Sequence, residues 1–227
     1  MTPRTRRSAL LAMALAAVVL ASSCAVVVTT TRLHDDRHDF TARPKGTAIV
    51  IGDSVGYGLT VAGGIAHQLA MDGWGPVRSH AQVGLHAAPE SPTDGNTVVH
   101  RVAAFASIGL KPKVAVLVIG ANDVGYPGGA DVARNVRRIE TAMKSLGQAP
   151  VVWTTIVHKN TAGMNAWNAA LRDVATRFPN LRVCDWAAEV VKHHGWVEHD
   201  GVHMTVGPHG GYVGMRNFVA GCVRAIA

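Results

Sequence analysis

Aromatic residues are scarce in this chain of 227 residues, at 5%, and charged residues make up only 16%. No cluster of Lys and Arg interleaved with aromatics occurs beyond residue 45. The footprint of a nucleic-acid binder is therefore missing, and no nucleic-acid partner is expected. The formal net charge of +7 misleads, because residues 1 to 45 hold seven Lys/Arg against three Asp/Glu and leave +3 for the rest. Internal repeats and low-complexity tracts are absent, which excludes solenoids and arrays. Cysteine is nearly absent too, with three in all: Cys24, Cys184 and Cys222. A disulfide-dense scaffold is thereby ruled out.

What is present begins with a basic start, Arg4, Arg6 and Arg7, followed by an uncharged stretch from Ser8 to Thr31. That order is the pattern of an export signal. The stretch is also long enough to span, since about 20 apolar residues cross a bilayer. Arginines before it keep the N-terminus inside and send the remainder outward. Three fates compete: a retained membrane anchor, which we favour, a cleaved signal, or a lipoprotein signal ending at Cys24 in "VLASSC". In the last, Ala21 stands where a larger aliphatic is usual. Residues 32 to 45 are polar and without periodicity, so they read as a linker. Residues 46 to 227 are then a single exported domain, expected to be a monomer. An oxidising compartment allows Cys184 and Cys222 to pair, and two separate buried thiols are the alternative.

Within that domain, apolar runs alternate with helical patterns. Strands are expected at 47 to 51, 77 to 83, 113 to 119, 149 to 157 and 181 to 186, each short and bounded by turn residues. Helices are expected at about 57–71, 95–107, 130–147, 163–178, 187–194 and 207–226. In the third of these, Val132, Val136, Ile139, Met143 and Leu146 recur at spacings of three and four and define an apolar face. Strict alternation predicts a parallel sheet covered on both sides, with right-handed crossovers. Sites in such folds lie beyond the carboxyl ends of the strands.

Polar residues gather at those ends. The first strand delivers Asp53 and Ser54 in "GDSVGYG", the second delivers Gly84 in "AQVGLHA", and the third delivers Asn122 in "GAND". Near the C-terminus, "DGVH" places Asp200 three residues before His203. A serine hydroxyl needs a base to take its proton, and that base needs an acceptor to hold its other nitrogen. Ser54, His203 and Asp200 can fill those roles. The backbone N–H groups of Ser54 and Gly84 and the Asn122 amide are suitable donors for an oxyanion. Asp53 and Asp123 are read as turn or helix caps. Tyr57, Tyr126 and Trp196 are read as packing. His193, His194, His199 and His209 lie around His203, but Gly201 opposes a helix there and no carboxylate set matches, so no metal is expected.

With these four blocks in order, the domain resembles the SGNH or GDSL hydrolases across almost all of residues 46 to 227. The resemblance implies a flavodoxin-like three-layer α/β sandwich with a five-stranded parallel sheet. It also implies a Ser-His-Asp triad, a three-donor oxyanion hole, and ester hydrolysis without metal or other cofactor. "GDSVG" also fits the nucleophile elbow of the α/β-hydrolases. That fold places several strands before its elbow, whereas Ser54 follows the first. The region of Trp153, Trp186 and "DGVH" is similar to SGNH domains of bacterial envelope acyltransferases. A short acyl ester on a cell-wall glycan is the substrate this implies. An O-acyltransferase using the same residues, or an inactive glycan-binding module, are the alternatives.

Overall fold

The computed structural model describes residues 37–38, 44–91 and 93–226. The expected export segment, Cys24 included, lies outside them. Among the described residues no helix is long and apolar enough to cross a membrane.

Five parallel strands form the sheet: β2 (Ala48–Gly52), β3 (Val77–Ala81), β4 (Val114–Val118), β5 (Val151–Thr154) and β6 (Leu181–Cys184). Their spatial order is β3-β2-β4-β5-β6. A two-residue strand, β1 (Arg37–His38), pairs antiparallel with the outer side of β3. It lies in the segment that the sequence marks only as polar linker. Apolar patterning cannot announce such a strand, because it is two residues long and adds backbone groups to an open edge.

Both faces of the sheet are covered, so every residue of β2 and β4 is buried. Alternation sorts their side chains. Ala48 and Val50 enter one apolar layer with Leu59, Leu69 and Val219, while Ile49 and Ile51 enter the other with Ile139, Met143 and Trp167. The chain winds outward from β2 in both directions. The crevice between the carboxyl ends of β2 and β4 is therefore the switch point where this topology places a site.

Helices follow each strand: α1 (Ser54–Gly58), α2 (Ile65–Met71), α3 (Val98–Ser107), α4 (Ala121–Gly125), α5 (Val132–Leu146), α6 (Thr161–Ala175), α7 (Trp186–Val190) and α8 (Gly211–Arg224). The single helix expected over 57–71 is broken. It begins earlier, at Ser54, widens into a π-type turn over Leu59–Gly63, and restarts after Gly64, whose φ is 71°. Helix α4 replaces what reads in sequence as a polar turn. In α5 the buried stripe is rotated from the apolar spacing. Val132 is 45% exposed, whereas Asn135 and Arg138 are buried with Ile139 and Met143. Asn135 Nδ2 donates to Gly129 O at 2.8 Å and Arg138 Nε donates to Asp123 Oδ1 at 2.6 Å, so each is anchored inside by a polar partner. Trp153 and Trp186 are fully buried core residues.

Cys184, ending β6, is bonded to Cys222 on α8, with Cα atoms 6.0 Å apart. The bridge closes a loop of 38 residues. By the chain-entropy relation such a loop is worth about 4 kcal/mol at 25 °C. Reduction, or Cys222→Ser, should lower unfolding free energy by roughly that amount in urea titrations. An unchanged midpoint would show that the bridge adds nothing.

Candidate active site

The site is built where β2 stops. Gly52 is the last strand residue, and a Cβ there would lie 2.5 Å from the Gly56 Cα, so only glycine lets α1 turn back so tightly. Asp53 then leaves the strand with its N–H donating to Val118 O at 3.0 Å. Its side chain is buried and caps α1, Oδ1 accepting from Val55 N at 2.9 Å. The other oxygen, Oδ2, accepts from Ala121 N at 3.2 Å, the first residue of α4. One carboxyl thus holds the exits of β2 and β4 together. Burial pushes its pKa up to about 6, with some help from Asp123, while the backbone N–H groups pull the other way.

That cap makes Ser54 the first residue of α1, half-buried at the sheet's carboxyl edge. A hairpin near the C-terminus reaches it. Val197 and Met204 pair antiparallel, and Glu198 N donates to His203 O at 2.8 Å. Between them, Asp200 Oδ1 accepts from Val202 N at 2.8 Å and from His203 N at 3.0 Å, which folds the loop into an Asx-type turn. The turn aims Asp200 Oδ2 at His203 Nδ1, 2.6 Å away, and His203 Nε2 at Ser54 Oγ, 2.9 Å away. Hydrogen bonds from the imidazole and the two backbone N–H groups hold the Asp200 pKa down at about 2, against its partial burial. The carboxylate is therefore ionised at neutral pH and can only accept. In the neutral ring Nδ1 therefore carries the proton, and Nε2 is left to accept from the serine hydroxyl.

Asn122, the second residue of α4, donates from Nδ2 to Leu85 O at 3.2 Å. Its amide carries two N–H groups, and this bond uses one. Gly84 sits one residue earlier than Leu85, in a turn closed by Leu85 N donating to Gln82 O at 3.1 Å. Its φ of 78° is what the third position of a type II turn requires. The second and third blocks are thus joined to each other, as the first and third are by Asp53.

The model of the GDSL-like lipase/acylhydrolase family matches residues 50–207, most of the domain. The chain belongs to that family. Its class is ester hydrolase of the SGNH type, and the sheet and flanking helices are the SGNH α/β fold. Among solved structures, the lipase/acylhydrolase from Enterococcus faecalis shares 19% identity at a TM-score of 0.61, covering 79% of this chain and 96% of its own. The C-terminal catalytic domain of peptidoglycan O-acetyltransferase A from Streptococcus pneumoniae, solved with a methylsulfonyl adduct, shares 17% at 0.58, covering 81% and 93%. A carbohydrate acetylesterase from Sinorhizobium meliloti shares 13% at 0.57, covering 81% and 100%. A comparison with curated proteins finds no match.

In this family member several residues sit otherwise than the sequence suggests. Asp123 is no cap. It is wholly buried, ion-paired with Arg138, and Ala87 N lies 3.3 Å from its Oδ2. Tyr57 and Tyr126 are exposed, at 42% and 59%, and are not core packing. Trp196 does pack, stacked on His193 at 3.7 Å and on Trp186 at 5.9 Å between ring centroids. His193 also bonds Glu189 at 3.0 Å, while His194, His199 and His209 are exposed. Among the described residues no group of three or more His, Cys, Asp or Glu is arranged to hold a metal. Sequence reasoning missed Arg138 and His86, which border Asp123, and His158, whose pKa is lowered by burial and by Lys159 against the pull of Asp200.

Two buried groups give opposite pH dependences. Asp53 keeps its proton in the native state between its ordinary value of 3.8 and about 6, so its contribution to stability falls as pH rises through that window. His80 is pushed down to about 4, by burial first and then by Arg101, from an ordinary 6.5. Its contribution therefore rises over nearly the same window. Asp53→Asn should remove the falling slope and expose the rising one. From pH 4 to 6 the stability of wild type relative to the variant should drop by up to about 3 kcal/mol, read by urea unfolding at each pH. Parallel profiles would show that Asp53 is not raised by burial.

Proposed function

We propose that this protein is an exported serine esterase that removes short acyl groups from a cell-envelope glycan. The observation that carries this reading is the unbroken relay from Ser54 Oγ through His203 to Asp200 Oδ2, with spans of 2.9 and 2.6 Å. His203 Nε2 takes the hydroxyl proton as Ser54 Oγ attacks the ester carbonyl. Asp200 stabilises the imidazolium that forms. The oxyanion is held by the N–H groups of Ser54 and Gly84 and by Asn122 Nδ2. His203 then returns the proton to the leaving alcohol oxygen. Water, deprotonated by the same nitrogen, releases the acyl group and frees Ser54.

Support for export comes from the Cys184–Cys222 bridge, which belongs to an oxidising compartment. The leader-like composition of residues 1 to 31 agrees with it. The peptidoglycan O-acetyltransferase domain and the carbohydrate acetylesterase among the structural neighbours are named for acetyl chemistry on sugars, which fits a small acyl ester on a glycan.

Ser54→Ala should abolish release of acetate from an aryl acetate while leaving the unfolding midpoint near wild type. Turnover close to wild type in a folded variant would sink the assignment. Asn122→Ala should cost about 100- to 1000-fold in kcat, and Asp200→Asn up to about 10,000-fold by favouring the wrong tautomer. Because Asp200 stays ionised down to about pH 2, the acid limb of kcat/KM should show one ionisation and not two above pH 3. Chelators should leave the rate unchanged, and loss of activity restored by zinc would overturn the mechanism.

A further inference from the structure

A charged groove lies along the segments that carry Gly84 and Asn122 and takes no part in the chemistry above. His86, Glu90, Asp94, Tyr126, Arg134 and Arg138 line a cavity of about 210 Å³. It shares its segments with the proposed oxyanion donors: His86 lies two residues beyond Gly84, and Tyr126 four beyond Asn122. Arg138 is 5% exposed, and Asp123 fixes its Nε from behind. On the other side its Nη1 is buried without a hydrogen bond, although Glu90 Oε1 approaches to 2.7 Å. Arg134 Nη2 is also paired with Glu90 Oε1. A single carboxylate therefore answers two guanidinium groups from outside. Glu90 itself is 53% exposed in its side chain and belongs to a loop between β3 and α3.

An exposed carboxylate held by two recessed arginines can be exchanged for another carboxylate of the same geometry. The planar guanidinium fork suits that exchange, and Arg138 keeps its Asp123 partner throughout. Outside the arginines, Tyr126 faces His86 with ring centroids 5.4 Å apart and forms an aromatic wall of the kind a sugar ring packs against. We propose that this groove is a subsite for a carboxylate-bearing sugar, whose carboxylate replaces Glu90 between Arg134 and Arg138 while the esterified sugar lies at Ser54. The subsite sets specificity and rests on the esterase reading of Ser54.

The test uses two substrates that differ only at C6: a mono-O-acetylated methyl glucuronoside and the matching methyl glucoside. The readout is the ratio of their kcat/KM values, so a general loss of turnover cancels. In wild type the ratio should favour the uronate by about tenfold, the effect of one charge-assisted contact. Arg134→Gln should bring it near one through KM. Glu90→Gln, which removes the competing carboxylate, should raise it. Free glucuronate should also inhibit aryl acetate hydrolysis competitively in wild type, where glucose does not. A ratio near one in wild type, a ratio unmoved by both variants, or no inhibition by glucuronate overturns the subsite. Failure of wild type to hydrolyse the aryl acetate would instead overturn the esterase reading. In that case, glucuronate binding by calorimetry, lost in Arg134→Gln, still decides the anion site.

Discussion

Everything at the sheet's carboxyl edge depends on one buried carboxyl. Asp53 leaves β2, caps α1 through Val55 N, and receives Ala121 N from the start of α4. Without the first bond, α1 has no defined origin and Ser54 no fixed height above the sheet. Without the second, the β4 exit that carries Asn122 is free to drift from the β2 exit that carries Ser54. A buried carboxyl is costly when charged, which is why its pKa climbs to about 6. The two backbone donors offset part of that cost, and they are the contacts that position the site. Stability is given up where geometry is gained.

The rest of the edge is assembled by similar single contacts across blocks far apart in sequence. Asn122 reaches Leu85, Gln82 N reaches Gly52 O at 2.9 Å, and His203 reaches Ser54. The first two tie the turn after β3 to those strand ends, and the third brings in the C-terminal hairpin. The acid–base hairpin is the least enclosed part, with side-chain exposures of 39% for His203 and 45% for Asp200. Its rigidity is local, coming from the two N–H bonds to Asp200 Oδ1 and from the Val197–Met204 pairing. The loop at Lys159 packs against Gly201, where a Cβ would lie 3.1 Å from Lys159 Cβ.

The sequence makes the strands and the polar blocks legible because both follow short-range rules. β2 and β4 are apolar throughout since helices cover both faces, and the polar residues after them stand out by contrast. The D-x-x-H spacing is readable because acid and base share one turn. What escapes is any arrangement made by polar partners from separate elements. Counting apolar residues puts Val132 on the inner face of α5, yet Asp123 draws Arg138 inward and turns the stripe. Asn122 looks like a loop residue, although Gly120, with φ of 135°, starts a helix there. The break at Gly64 and the edge strand Arg37–His38 likewise depend on tertiary neighbours and leave no periodic trace.

The exposure of the base bears on what accepts the acyl group. With its side chain 39% exposed, His203 lies at the solvent boundary of the site. Hydrolysis needs no further device. Transfer to a sugar hydroxyl would require an acceptor bound tightly enough to displace water and hold its oxygen against the acyl carbon. The charged groove around Arg134 and Arg138 could position a sugar, but its polar, solvated walls do little to exclude water. On the proposed reading, a groove that orients an acidic glycan while staying wet would favour cleavage over transfer. The same serine, histidine and aspartate can serve both reactions, so the direction is decided by hydration of the groove and not by the triad.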